Sequence, residues 1–125
     1  MIMPYLHFNG NCEEAFNFYA ACFGGEITSL SRLNGDESNP VMHAEVMLTA
    51  TGGVSGSDSI PPEPLPKKYE ILVHFKSRAE LEAVFEKLSV GGTNISGFSP
   101  HPPPDDAHGG SYLTDKYGYT WILST

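Results

Sequence analysis

His43 and Glu45 stand two apart in VMHAEVML, and Tyr5 and His7 stand two apart in MPYLHFN. A third such set, Glu70, Leu72 and His74, lies in YEILVHF. All three stretches mix large apolar and polar residues in short runs and read as strands, where side chains two apart share a face. Met3, Tyr5 and His7 then point one way, with Leu6 and Phe8 turned to the opposite face and an adjoining helix. His7, His43, His74, Glu45 and Glu70 make a candidate constellation of three imidazoles and two carboxylates. Such groups hold a divalent metal or move protons, since imidazole titrates near neutrality and a carboxylate is tuned by burial. The same residues also read more simply: hydrogen-bonded wall histidines, an edge pair at His43 and Glu45, and an ion pair at Glu70.

The elements that would carry these residues recur. Residues 7–25, HFNGNCEEAFNFYAACFGG, lie over residues 74–92, HFKSRAELEAVFEKLSVGG, without a gap, with six identities in nineteen positions. His7 meets His74, Phe8 meets Phe75, Glu13 meets Glu80, Phe18 meets Phe85, and Gly24-Gly25 meets Gly91-Gly92. In the first copy Asn11 offers a helix N-cap, Glu13 and Glu14 suit the first turn, and Cys12, Phe16, Tyr19 and Phe23 recur at helical spacing. In the second, Ser77 and Glu80 form a capping box, followed by the apolar stripe Leu81, Val84, Phe85 and Leu88. Paired glycines stop both helices. EITSLSRL, VMHAEVML and GGVSGSD follow the first helix as strands, and TNISGF, SYLTD and YGYTWILS follow the second. The chain is thus a duplicated β-α-β-β-β module, α+β in class. Module one spans about 1–58, a proline-rich linker about 60–67, and module two about 68–125, together one domain.

Composition narrows the partners. The chain has 125 residues, 40% of them apolar, and a formal charge of −8, which is a folded globular composition. Seven scattered basic residues argue against nucleic acid or an anionic membrane surface. No run approaches the ~20 apolar residues of a membrane span, and the N-terminus lacks a signal-peptide pattern, so a cytoplasmic protein is expected. Cys12 and Cys22 on one helix would lie ~15 Å apart, too far to bridge. No GxSxG elbow, GxxxxGK[ST] loop or HExxH motif occurs. His101 and His108 flank PPPDDA with Asp105 and Asp106, a loop that could cover a site as a lid or hold a second His/Asp set.

YLHFNGNCEEAFNFYAACFGGEI closely resembles the N-terminal signature of the PhnB-like branch of the vicinal oxygen chelate superfamily, which includes glyoxalase I and bleomycin-resistance proteins. VMHAEVML resembles that branch's third strand, and LTDKYGYTWILS its closing strand with an Asp-x-x-Gly-x-x-Trp pattern. The resemblance implies paired βαβββ modules, a curved eight-stranded mixed sheet around a concave site, a small-molecule ligand and a homodimer. With pseudo-twofold pairing, His7 and His74 would approach each other across that site. Superfamily enzymes commonly hold a divalent metal as a Lewis acid, with one His, Glu or Gln from each of the first, fourth, fifth and eighth strands. Here the first position falls on Met3 and the last on Ile122, neither a ligand for a hard metal. The fifth-strand position falls on Glu70, and the best fourth-strand candidate is Asp58.

Two functions follow. One is a lyase, isomerase or dioxygenase of the superfamily, with a divalent metal in an altered set that includes Glu70, His7 and His74, and with His7, His74 and Glu45 as catalytic groups. The other is a metal-free protein that sequesters a small cationic or aromatic compound between Tyr5, His43, Tyr112 and Tyr119. A methyltransferase label sometimes carried by PhnB-like chains finds no support in the residues, which lack a Gly-rich nucleotide fingerprint after the first strand.

Overall fold

The computed structural model describes residues 1–59 and 70–125. They fall into two compact units divided between Lys67 and Lys68. The first runs β1 (Tyr5–Phe8), α1 (Cys12–Phe23), β2 (Glu26–Arg32), β3 (Val41–Met47) and β4 (Gly53–Asp58), with a 3₁₀ turn at Leu33–Gly35. The second repeats it as β5 (Glu70–His74), α2 (Arg78–Leu88), β6 (Thr93–Pro100), β7 (Gly109–Thr114) and β8 (Thr120–Ser124). The proline-rich linker expected over 60–67 lies outside the described residues.

Each unit folds into one four-stranded mixed sheet, in the orders β1-β4-β3-β2 and β5-β8-β7-β6. The first strand of each pairs in parallel with the last, and the remaining pairs are antiparallel. A helix between the first two strands allows this parallel closure, which no hairpin could provide. The sequence repeat becomes a repeat of backbone geometry: Gly24 and Gly91, which overlie in the sequence, both take positive φ, 71° and 74°. At Gly24 that conformation ends α1, with its N–H on Ala20 O.

One face of each sheet meets its helix. In the first unit Leu6, Phe8, Ala44, Val46 and Val54 are buried with Ala15, Phe16 and Tyr19 of α1. Phe8 and Phe16 pack edge to face, with centroids 5.8 Å apart. Gly56 supplies the close approach: a Cβ there would stand 2.5 Å from Leu6 O and 3.0 Å from Phe16 Cζ. In the second unit Ile71, Leu113, Trp121 and Leu123 face Leu81, Val84 and Leu88, all buried. Neither cysteine is in a disulfide, and both are buried. Burial, with the nearby Asp58 and Glu13 carboxylates, pushes the Cys12 thiol up to about 12.

The start of α1 differs from the expected cap. Asn11 has φ −117° and ψ 24° and makes no side-chain capping bond. Asp58, at the end of β4, does that work instead: Oδ1 accepts from the Gly10 and Cys12 N–H groups at 2.9 and 3.0 Å, and Oδ2 from Val41 N–H at 2.9 Å. A buried carboxylate from a distant strand thereby satisfies helix-end donors that a local side chain was expected to take. In α2 the expected cap holds, with Glu80 N–H donating to Ser77 Oγ at 3.2 Å.

Candidate functional site

The face of the first sheet turned away from α1 gathers polar side chains. Strand pairing aligns Tyr5 with Ser55 and Glu45, and His7 with Ser57, while Leu6, Gly56 and Ala44 form the row between them on the helix face. Alternation then places Tyr5, His7, Ser55, Ser57, His43 and Glu45 together on the open face. His43 Nε2 lies 2.9 Å from Glu45 Oε2, and the Tyr5 hydroxyl 3.5 Å from His43 Nδ1. The Tyr5 ring stacks on His43 at 5.9 Å between centroids and tilts against His7 at 5.3 Å. Tyr5 is 39% exposed, and the His43 and Glu45 side chains 40% and 38%. A ligand arriving on this face meets an aromatic wall, two imidazoles and a carboxylate.

The second unit's open face is different in kind. Leu72, Ile122 and Tyr112 form one row across β5, β8 and β7, with Leu72 63% and Tyr112 37% exposed. Glu70 aligns with Thr120, whose hydroxyl bonds that of Thr114 at 3.1 Å. His74 Nδ1 lies 3.4 Å from Ser124 Oγ on the neighbouring strand. Tyr112, Glu70 and His74 thus share one open face, whose central row is apolar and whose ends are polar.

Two of the expected residues stand elsewhere. Tyr119, expected as a binding wall, is 2% exposed and sits in the core. The cause is Asp115, whose Oδ1 accepts from the Tyr117 and Tyr119 N–H groups at 2.8 and 3.0 Å, and whose Oδ2 accepts from the Trp121 indole at 2.8 Å. With Gly118 at φ 90°, this folds the turn into β8 and draws Tyr119 inward. The Asp-x-x-Gly-x-x-Trp pattern is therefore a structural clamp. Asp58, the fourth-strand ligand candidate, is 7% exposed, and both of its oxygens are committed to backbone donors.

These placements test the superfamily's four-position metal set. Met3 carries a thioether whose Sδ accepts the Ser55 hydroxyl at 3.2 Å. Ile122 has no donor atom, and Asp58 is bound to the α1 terminus. The residues present do not fit that set, and Glu70 alone keeps a suitable donor. Among the described residues, no group of three or more His, Cys, Asp or Glu is placed to hold a metal ion. In the 101–108 loop His101 pairs with Asp105 at 2.8 Å, both exposed, without gathering the four groups expected there.

Comparison with known proteins places the chain. The family model described as 3-demethylubiquinone-9 3-methyltransferase matches residues 1–124. The chain belongs to this family, within the PhnB-like branch of the vicinal oxygen chelate superfamily. Protein PA1353 from Pseudomonas aeruginosa is 28% identical with a TM-score of 0.82, over 98% of this chain and 95% of that one. A putative 3-demethylubiquinone-9 3-methyltransferase, PhnB protein, from Bacillus cereus is 30% identical with a TM-score of 0.76, over 98% and 97%. The fosfomycin resistance protein FosX from Listeria monocytogenes shares the fold at 13% identity and a TM-score of 0.70, over 98% and 90%. No curated protein matches the sequence. This PhnB-like chain has the small-molecule fold of its superfamily, with two mixed sheets, each open rather than closed on itself.

Sequence reasoning missed Ser55 and Ser57 as members of the open face. The signal was the alternation in Gly53-Val54-Ser55-Gly56-Ser57-Asp58, but its phase depends on the parallel register with β1, and that register is fixed by side chains 50 residues away.

Proposed function

We propose that this PhnB-like protein binds a small organic molecule on the open face of its first sheet, using protein side chains in place of the superfamily's metal. The observation that carries the reading is the contact chain Tyr5–His43–Glu45, which sets a stacking surface beside a hydrogen-bonded imidazole and carboxylate. An aromatic or cationic molecule suits it: aromatic rings attract a cation, and the chain's charge of −8 favours its approach. The failure of Met3, Asp58 and Ile122 to supply donors supports a site that works without the usual metal.

A second reading keeps a divalent metal in an altered set drawn from His7, His43, Glu45, Glu70 and His74. It is favoured by one observation, the two potential donors His43 Nε2 and Glu45 Oε2 already adjacent at 2.9 Å. The methyl transfer named in the family description is a weaker fit. It requires a methyl donor, and the sequence lacks the glycine-rich fingerprint with which parallel-sheet domains hold a nucleotide. A homodimer accompanies the proposal on the strength of the family resemblance, and a cytoplasmic location on the sequence reading above.

Thermal unfolding of EDTA-treated protein with a panel of small aromatic and cationic compounds tests it. A ligand specific to the native state stabilises by RT ln(1 + [L]/Kd), roughly 2.7 kcal/mol at a hundred times Kd. The proposal expects a metal-independent rise that His43→Ala removes. A rise seen only with one added divalent metal would overturn it in favour of the second reading.

A further inference from the structure

We infer that a cavity beside β2 binds a basic α-amino acid, at a place separate from the open face of the first sheet. β2 is an end strand in the sheet order, and the cavity next to it measures about 670 Å³. Glu13, Leu30, Ser31, Arg32, Gly35 and Glu37 line it. A space of that size takes a small organic molecule. Leu30 and Arg32 pair with Ala44 and Val41, which are buried on the helix side of the sheet, and Glu13 comes from the first turn of α1. Arg32 and Glu13 therefore stand on the helix side, away from His43 and Glu45.

Arg32 is the anchored group. Its side chain is 16% exposed, its Nη2 donates to Glu13 Oε1, and its Nη1 donates to Asn39 O at 3.1 Å. Those two ties fix the plane of the guanidinium. Three of its five N–H groups have no partner among the described residues. Paired N–H groups of a guanidinium match the two oxygens of a carboxylate. The turn that follows is held in shape before any ligand arrives. Leu33 N–H donates to Pro40 O at 3.1 Å, and Asn39 Nδ2 donates to Leu33 O at 2.8 Å. Ser38 binds Asp36 Oδ1 through its N–H at 2.9 Å and its hydroxyl at 2.8 Å. Asp36 is thus engaged within the turn, whereas Glu37 lines the cavity and makes no ion pair or hydrogen bond among the described residues. Gly35, at φ 72°, leaves the wall open, since a Cβ there would meet nothing within 4 Å.

The lining carries two carboxylates and one guanidinium, so the matching ligand carries two cations and one carboxylate. Its carboxylate would take the spare N–H groups of Arg32, its cations would meet Glu13 and Glu37, and its apolar stem would lie on the half-buried Leu30. A simple anion meets two like charges here. A simple amine leaves the Arg32 donors unused, and a neutral amino acid leaves one carboxylate over. A basic α-amino acid satisfies all three groups, and the chain's charge of −8 favours its approach.

Calorimetric titration of the full chain with L-lysine tests the assignment, against three analogues that each lack one charged group. Cadaverine has no carboxylate, norleucine no side-chain ammonium, and Nα-acetyl-lysine no α-ammonium. Lysine should bind saturably at one site, and each analogue at least about tenfold more weakly, the loss of one charged hydrogen bond. Glu37 is exposed, so Glu37→Gln leaves the fold in place and should weaken lysine by a similar factor. Amide NMR shifts on adding lysine should centre on Glu13, Ser31, Arg32, Gly35 and Glu37. Absence of lysine binding, cadaverine binding as tightly as lysine, or unchanged affinity in Glu37→Gln would overturn the inference. So would shifts centred on Tyr5 and Glu45, which would place the amino acid on the open face instead.

Discussion

Asp58 separates a structural tie from a metal ligand, and its substitution has a calculable effect. Three backbone N–H groups, of Gly10, Cys12 and Val41, donate to its carboxylate at 2.9–3.0 Å, and the residue is 7% exposed. A hydrogen bond to a charged group contributes about 1.5–3 kcal/mol, and a buried donor left without a partner costs about 1–3. Asp58→Asn keeps one acceptor oxygen, enough for the Gly10 and Cys12 donors, and turns an amide N–H₂ toward Val41 N–H. It should cost about 3 kcal/mol, near the low end of one lost charged bond plus one buried donor left without its acceptor. Asp58→Ala removes both acceptor oxygens, and with them all three hydrogen bonds, and should cost about 4–5 kcal/mol, a large part of a small domain's 5–15. Urea unfolding at pH 7 followed by tryptophan fluorescence measures both, with midpoints falling and the slope unchanged. A loss under about 0.5 kcal/mol in Asp58→Asn, accompanied by loss of divalent-metal binding, would refute the reasoning and return Asp58 to the role of ligand.

Three further outcomes are expected. Gly56→Ala should destabilise by about 1–3 kcal/mol in the same urea assay, because its Cβ would meet Leu6 O at 2.5 Å and Phe16 Cζ at 3.0 Å. Ser111→Ala should be neutral or stabilising by up to about 1 kcal/mol, since Ser111 is 4% exposed and its hydroxyl makes no hydrogen bond among the described residues. The Cys12 thiol should resist disulfide reagents in the native state. Because its folded value of about 12 stands above the ordinary 9.0, the unfolded chain releases that proton first. The associated stability is then complete below about pH 9 and lost as pH rises toward about 12, and Cys12→Ala should flatten that part of the stability–pH curve.

The fold was legible because its signals are local and repeated. The 67-residue offset, the capping box at Ser77 and Glu80, and the paired glycines each state a local backbone preference, and the strands inherit their faces from simple alternation. The same alternation puts Tyr5 and His7 on one face of β1, and His43 and Glu45 on one face of β3. What the sequence could not show came from distant partners. Asn11 has the right type for a cap, yet Asp58 takes the position from another strand, where its charge binds the helix end more strongly. Tyr119 stands two before Trp121 and shares its inward face, a parity that holds only because Asp115 closes the preceding turn. Contacts of this kind depend on register between segments and on turns that no alternation pattern specifies.

The open face of the first sheet is tested most directly by two-dimensional proton–nitrogen NMR of the labelled protein in EDTA. The probe is the strongest stabilising compound from the thermal panel, titrated in steps. The account predicts saturable shifts at the amides of Tyr5, His7, His43, Glu45, Ser55 and Ser57, with Asp58 and the α1 core undisturbed, and their loss in His43→Ala. Shifts confined to other surfaces, or shifts at these residues that arise only after a divalent metal is restored, would contradict it.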